Sequence, residues 1–246
     1  MRPRTDQTVR DIVVENPTAV SVFESLGIDY CCGGKLPFEE ACARANVPVA
    51  RAMELLAQAL PGGDSETARD WAEAPIAELT AYIVSRHHGY VRRESPRLQG
   101  LLEKVDGRHG PAHPEIASIK ELFSALIQEL FAHMMKEERI LFPYLESLDA
   151  RKGGGVPSAC FGSVRNPIQN MLADHDDAGE LLARMRTLSG GFHAPAGACS
   201  AYRALYQGLE EFERDLHRHI HLENNILFPR AVELEQSLLA VANELP

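Results

Sequence analysis

Apolar residues along this chain recur at the three- and four-residue intervals of helices, and no stretch alternates convincingly as a strand. The pattern predicts an all-α fold. Thr8-Val-Arg-Asp11 reads as a capping box opening a short helix from Val9 to about Glu15. Asn16-Pro17 starts a second helix, with Ala19, Val20, Phe23 and Leu26 as its apolar stripe and Gly27 as its C-terminal cap. Ile28 to Gly34 is a loop, and two more helices follow, one from Pro37 and one from Val49 to Leu60. Pro61-Gly62-Gly63-Asp64-Ser65 is the clearest breaker in the chain. Four longer helices come after it. They run from Pro75 as far as Val105, from Glu115 to Leu148, from Asn166-Pro167 to near Gly190-Gly191, and from about Cys199 to Leu234. The loop Gly107 to Pro114 and the Gly-rich stretch Arg151 to Ser163 connect them. The expected organisation is a small helical domain over 1–60, a linker over 61–74 and a four-helix bundle over 75–246. The first unit is too small to be very stable alone and is expected to dock on the bundle.

Composition narrows the partners. A net charge of −10 without a basic stretch argues against nucleic acid. No run approaches the roughly 18 apolar residues of a membrane span, and the N-terminus lacks the apolar core of a secretory signal. Five cysteines, two of them adjacent, do not form a secreted disulfide pattern, so the cytoplasm is the expected compartment.

The chemistry gathers in a repeat. Residues 215–229 carry His219 and Glu223 one helical turn apart, followed by Ile226-Leu-Phe-Pro229. His133 and Glu137 have the same spacing and the same tail, Ile140-Leu-Phe-Pro143. His175 lies 44 residues before His219, and His88 lies 45 before His133. Two hairpins, each with a histidine helix and a His-x-x-x-Glu helix, make a four-helix bundle, and facing helices are where bundles place metals. A buried imidazole or carboxylate is costly without a partner, and a metal ion supplies one. Two metals with two histidines each, bridged by both carboxylates, would use all six groups and leave open positions for a small molecule. Such nitrogen and oxygen ligation suits iron, with manganese and zinc as competitors.

Plainer readings compete elsewhere. His217 and His221 sit about 200° around the helix from His219 and are expected at the surface. His87 and His88 cannot both point inward, and the periodicity allows either, with the repeat spacing tipping to His88. His109 falls in the loop after the first bundle helix, where it would line an access route or simply face solvent. Asp174, Asp176 and Asp177 are expected to be surface groups or supports for the ligands. Cys31-Cys32 has three readings, a strained and rare vicinal disulfide, a buried structural pair, and a reactive or metal-binding thiol pair, of which the last is preferred because Gly33-Gly34 implies exposed, mobile backbone. Cys42, Cys160 and Cys199 have no partner spacing and are expected to be structural.

Asp29-Tyr-Cys-Cys-Gly-Gly34 followed by His133-Met-Met-Lys-Glu-Glu-Arg-Ile-Leu-Phe-Pro143 and His219-Ile-His-Leu-Glu-Asn-Asn-Ile-Leu-Phe-Pro229 resembles the iron–sulfur cluster repair family, the repair-of-iron-centres proteins. The likeness runs from Thr8 to Arg230. It implies a hemerythrin-like bundle holding two non-haem iron ions, oxo- or hydroxo-bridged when oxidised, on His88, His133, Glu137, His175, His219 and Glu223. The family's first histidine lies eight residues before a Pro-x-Leu, here Pro96-Arg-Leu98, which selects His88. The resemblance also implies a histidine at His109 near the route to the metals and thiol transfer at Cys31 and Cys32. It implies damaged iron–sulfur proteins as partners and NO or O2 as small ligands. Two other functions stay open: an O2- or NO-sensing module, and an enzyme reducing NO to nitrous oxide.

Overall fold

The computed structural model describes residues 4, 7–59, 69–151 and 155–244. The breaker at 61–65 and most of the expected linker therefore lie outside the described residues, as do 152–154 of the Gly-rich connection. The described residues form eight helices. Four are short: α1 (Val9–Glu15), α2 (Ala19–Leu26), α3 (Phe38–Arg44) and α4 (Val49–Gln58). The Thr8 hydroxyl accepts from the Asp11 amide while the Asp11 carboxylate accepts from the Thr8 amide, which is the expected capping box. Gly27 closes α2 in the left-handed region at φ 65°.

The four long helices each continue through what periodicity reads as a single element. Ile76–Tyr82, Ile83–His88 and Gly89–His109 form α5 without a break, and Glu115–Lys136, Glu137–Leu141 and Phe142–Asp149 form α6. Arg165–Leu188 is α7, and Ser200–His221, Leu222–Leu227 and Phe228–Glu244 form α8. The first helix reaches past Val105 to His109, and the last runs ten residues beyond Leu234. Three of these helices contain a π-helical turn, at Ile83–His88, Glu137–Leu141 and Leu222–Leu227. Two of the turns end just before Pro143 and Pro229. A proline has no amide proton and its ring collides with the carbonyl four residues back, so a widened turn relieves both problems. The turn in α5 ends eight residues before the nearest following proline, Pro96, and lacks that explanation.

Buried side chains fall into three groups. One fills the bundle from Val91 and Leu98 through Phe123, Leu182 and Phe212 to Ile220. A second lies towards its other end, around Ile76, Leu79, Phe142, Leu145, Met171, Leu227 and Phe228. The third is the core of the N-terminal unit, built on Val9, Phe23, Tyr30, Phe38 and Leu56. Between the first two groups, all four long helices turn polar side chains inward at the same level.

Candidate metal centre

That level holds the six residues singled out by the repeat. Glu137, Glu223 and His88 have no exposed surface, and His219, His175 and His133 have almost none. The π-turns place three of them: His88 closes one, Glu137 opens another, and Glu223 lies in the third. His88 and His219 bring their Nε2 atoms to 3.2 Å, and His133 and His175 bring theirs to 3.1 Å. Each glutamate spans both histidine pairs. Glu137 puts Oε2 3.4 Å from His88 and Oε1 3.2 Å from His133. Glu223 puts Oε1 3.0 Å from His219 and Oε2 3.1 Å from His175. Two sets of four potential ligands result, His88-Glu137-His219-Glu223 and His133-Glu137-His175-Glu223, sharing both carboxylates.

Burying two carboxylates with nothing cationic nearby is prohibitive. Both oxygens of Glu137, Oε2 of Glu223 and Nδ1 of His219 lack a hydrogen-bonding partner among the described residues. Burial pushes the Glu223 carboxyl up, but His219 and His175 outweigh it and hold the group well below the usual range. Burial likewise works against a proton on His133, yet Glu137 and Asp174 lift it to about 10. The cavity demands positive charge, and metal cations fit that demand. Three of the four imidazoles are held for the purpose at their other nitrogen. Glu138 accepts from His88 Nδ1 at 2.6 Å, Asp174 from His133 Nδ1 at 3.0 Å, and Asn224 Oδ1 from His175 Nδ1 at 2.8 Å. A proton on Nδ1 leaves Nε2 as the donor atom facing the carboxylates.

His87 does not enter the ligand set. It is buried, donates to Asp215 Oδ2 at 3.1 Å and stacks on the His219 ring at 5.5 Å. Its other side faces a small cavity of about 60 Å3 between the N-terminal unit and the bundle, walled by Val13, Val20, Trp71, Tyr82 and His221.

Three expectations need correction. His221 is buried and His217 half-buried, because the N-terminal unit covers the face of α8 opposite the metals. Asn225 Nδ2 donates both to His221 Nδ1 and to the Tyr30 carbonyl, each at 2.8 Å, and the Tyr30 ring meets the His221 ring edge-on. The Cys31-Cys32 backbone is not exposed and mobile. The Asp29 carboxylate accepts from the amides of Cys31, Cys32 and Gly33, and Gly34 is pressed against Asn225. Cys31 is buried, and Cys32 Sγ lies 3.7 Å from the His175 carbonyl. His109 is the last residue of α5, 21 residues and so roughly 30 Å along the helix from His88. Close-packed Val91, Leu98, Leu102 and Val105 occupy the intervening face. His109 is thus helical rather than in the expected loop, and its Nε2 meets Cys199 Sγ at 3.2 Å. Asp176 and Asp177 are exposed, Cys42 belongs to the N-terminal core, and Cys160 is exposed.

Residues 79–231 match the model of the hemerythrin HHE cation binding domain, and residues 5–60 match a domain of unknown function, DUF542. The chain is 39% identical over 230 residues to the iron–sulfur cluster repair protein YtfE of Pectobacterium carotovorum, covering 94% of this chain and 98% of that one. The protein of that name from Edwardsiella ictaluri is 39% identical over 92% of this chain and 97% of its own, and the one from Yersinia pestis 36% over 94% and 98%. The chain belongs to this repair family. The centre is accordingly a non-haem two-iron centre of the hemerythrin kind, and the buried histidines and glutamates are groups able to hold it. The helical bundle and its family are those that the repeated His-x-x-x-Glu motifs and the cysteine loop imply. No described helix is long and apolar enough to cross a membrane.

Proposed function

We propose that this protein restores iron–sulfur clusters damaged by nitric oxide or peroxide, working from two iron ions on His88, His133, Glu137, His175, His219 and Glu223. The observation that carries the ligand assignment is the reach of each buried glutamate, one oxygen to each histidine pair. Iron bound there supplies open coordination positions for NO or O2 and a change of oxidation state. The protein's own contribution is orientation: Glu138, Asp174 and Asn224 keep three imidazoles turned with Nε2 inward. The flanking apolar layers keep water from competing. The division into a cysteine-loop unit over 1–60, a linker over 61–74 and a bundle over 75–246 belongs to the same reading, and the separate N-terminal core supports it. Five free thiols fit a reducing compartment such as the cytoplasm.

Cys31 and Cys32 are the transferring thiols in this reading. In the docked loop, the contact with Cys32, burial and Asp29 all push the Cys31 thiol up, so it stays protonated. Thiolate is the ligating and attacking form. Transfer therefore takes place with the loop lifted from the bundle, where solvent lowers that cost.

The test is recovery of an NO-damaged iron–sulfur enzyme by iron-loaded protein under anaerobic conditions. Wild type should restore activity. The Cys31→Ala/Cys32→Ala variant should keep its iron and restore little. Equal recovery with that variant would leave the thiols a structural role. Nitrous oxide in the headspace at one mole per two moles of NO, with no cluster recovery, would replace repair with NO reduction.

A further inference from the structure

Three ligand histidines are gripped at Nδ1, but the grips differ in kind. Glu138 and Asp174 are carboxylates and can only accept. Asn224 is an amide with a donor and an acceptor, and both ends are engaged. Its Oδ1 lies 2.8 Å from His175 Nδ1, and its Nδ2 lies 3.4 Å from the carbonyl oxygen of Cys31. A carbonyl has no proton to give, so it can face only the Nδ2 end of the amide. That contact settles which way the amide is turned. Oδ1 then faces His175, so Nδ1 carries a proton, which leaves Nε2 as the nitrogen able to offer its lone pair to a metal. Nε2 is the atom at 3.1 Å from both His133 Nε2 and Glu223 Oε2.

The loop is held at this place by independent contacts. Asn225 Nδ2 donates to the Tyr30 carbonyl at 2.8 Å, and Cys32 Sγ approaches the His175 carbonyl at 3.7 Å. The Arg218 guanidinium meets Glu24 through two bonds of 2.8 and 2.9 Å, and the Tyr30 hydroxyl donates to the same carboxylate.

We infer that Asn224 is a positioning residue that couples docking of the cysteine loop to the metal-binding tautomer of His175. With the loop docked, the Cys31 carbonyl keeps the amide in the one orientation that protonates Nδ1. With the loop lifted, the amide can turn over. Nδ2 then faces His175 Nδ1 and needs a lone pair there, which moves the proton to Nε2 and removes it as a ligand. Only the metal position served by His133 and His175 feels this, since His88 is held by Glu138. Docking thus strengthens one of the two metal positions, and a metal there strengthens docking by the same factor. The inference rests on the reading of His175 as a ligand.

Asn224→Asp separates the two contacts. A carboxylate still accepts from His175 Nδ1 but has nothing to donate to Cys31. It should retain both irons while Cys31 is alkylated about fivefold faster, the ratio that one lost hydrogen bond gives. Glu24→Ala lifts the loop by a different contact. In an otherwise wild-type chain it should speed release of one of the two irons to a chelator by about fivefold and leave the other unchanged. With Asn224→Asp present, Glu24→Ala should change neither rate by more than about twofold, because an aspartate cannot turn a donor towards His175. Asn224→Ala, which loses both contacts, should release that one iron faster without Glu24→Ala. The inference is overturned if Glu24→Ala exposes Cys31 but leaves both release rates alone, or speeds both equally. It is also overturned if the acceleration survives in the Asn224→Asp background. Failure of the underlying reading shows separately, as a His175→Ala variant that still holds two irons.

Discussion

Gly34 offers a sharp test of how the cysteine loop is held, because a single methyl group is enough to disturb it. A Cβ at that position would stand 2.9 Å from Asn225 Oδ1 and 3.0 Å from the Tyr30 carbonyl oxygen, with Asn225 Nδ2 at 3.3 Å. Carbon and oxygen in ordinary contact sit about 3.3–3.6 Å apart, so something must give by roughly half an ångström. The Tyr30 carbonyl is backbone and is tied to Asn225 at 2.8 Å. Opening that contact loses a hydrogen bond worth about 1 kcal/mol, and crowding a packed site costs about 1–3 kcal/mol more. Gly34→Ala should therefore weaken docking by roughly 2–4 kcal/mol, a factor of about 30 to 1,000 in the docked population. The assay is the rate at which a maleimide labels Cys31, buried in the docked loop, compared between variant and wild type at equal iron content. Faster labelling, with one of the two irons released sooner to a chelator, is the expected result. Unchanged labelling of Cys31 would mean that the Asn225–Tyr30 contact does not hold the loop against the bundle.

Glu235 is buried and accepts from the Tyr144 hydroxyl, the Ser163 hydroxyl and the Val164 amide at 2.9, 2.6 and 2.8 Å. Glu235→Ala should cost roughly 2–3 kcal/mol and lower Tm by roughly 4–10 °C; a loss under about half a kilocalorie per mole would refute the clamp. His221→Ala should loosen the N-terminal unit and speed labelling of Cys31, because its ring packs on Tyr30 and its Nδ1 accepts from Asn225; unchanged labelling would mean that His221 does not help hold the unit. Cys199 caps α8, where the free amides of Tyr202 and Ala201 and the charge of Arg108 pull its thiol below the usual range. Its alkylation at neutral pH should accordingly outpace that of buried Cys42, whose thiol is raised by burial; the reverse order by peptide mass spectrometry would contradict it.

Much of this arrangement is legible in the order of residues, and the parts that are not share a cause. The repeated His-x-x-x-Glu with its Ile-Leu-Phe-Pro tail points to the metal-binding level because ligand spacing and apolar spacing are both local. The choice of His88 over His87 needs the Pro96-Arg-Leu98 register, since adjacent helical positions do not decide between themselves. The π-turns escape a periodicity argument, because one extra residue per turn is lost in the average; only the proline six residues after each glutamate hints at them. His221 reads as solvent-facing because a helical wheel shows only which residues face the site. It does not show that a second unit lies on the opposite face. Asn224 and Asn225 stand plainly in the motif, yet their partners, Cys31 and Tyr30, lie some 195 residues away in the chain. His109 reads as a loop residue because Gly107, a glycine within an otherwise helical pattern, looks like a helix end, whereas α5 runs on through it.

The most direct test of the two-metal centre is anaerobic titration of the metal-free protein with ferrous iron, followed by counting bound iron in wild type and in Glu137→Gln/Glu223→Gln. Each glutamate reaches both histidine pairs, so wild type should bind two irons per chain and the double variant should lose both together, while its helical signal persists. Binding of a single metal by wild type, or retention of two irons by the double variant, would contradict a centre bridged by Glu137 and Glu223.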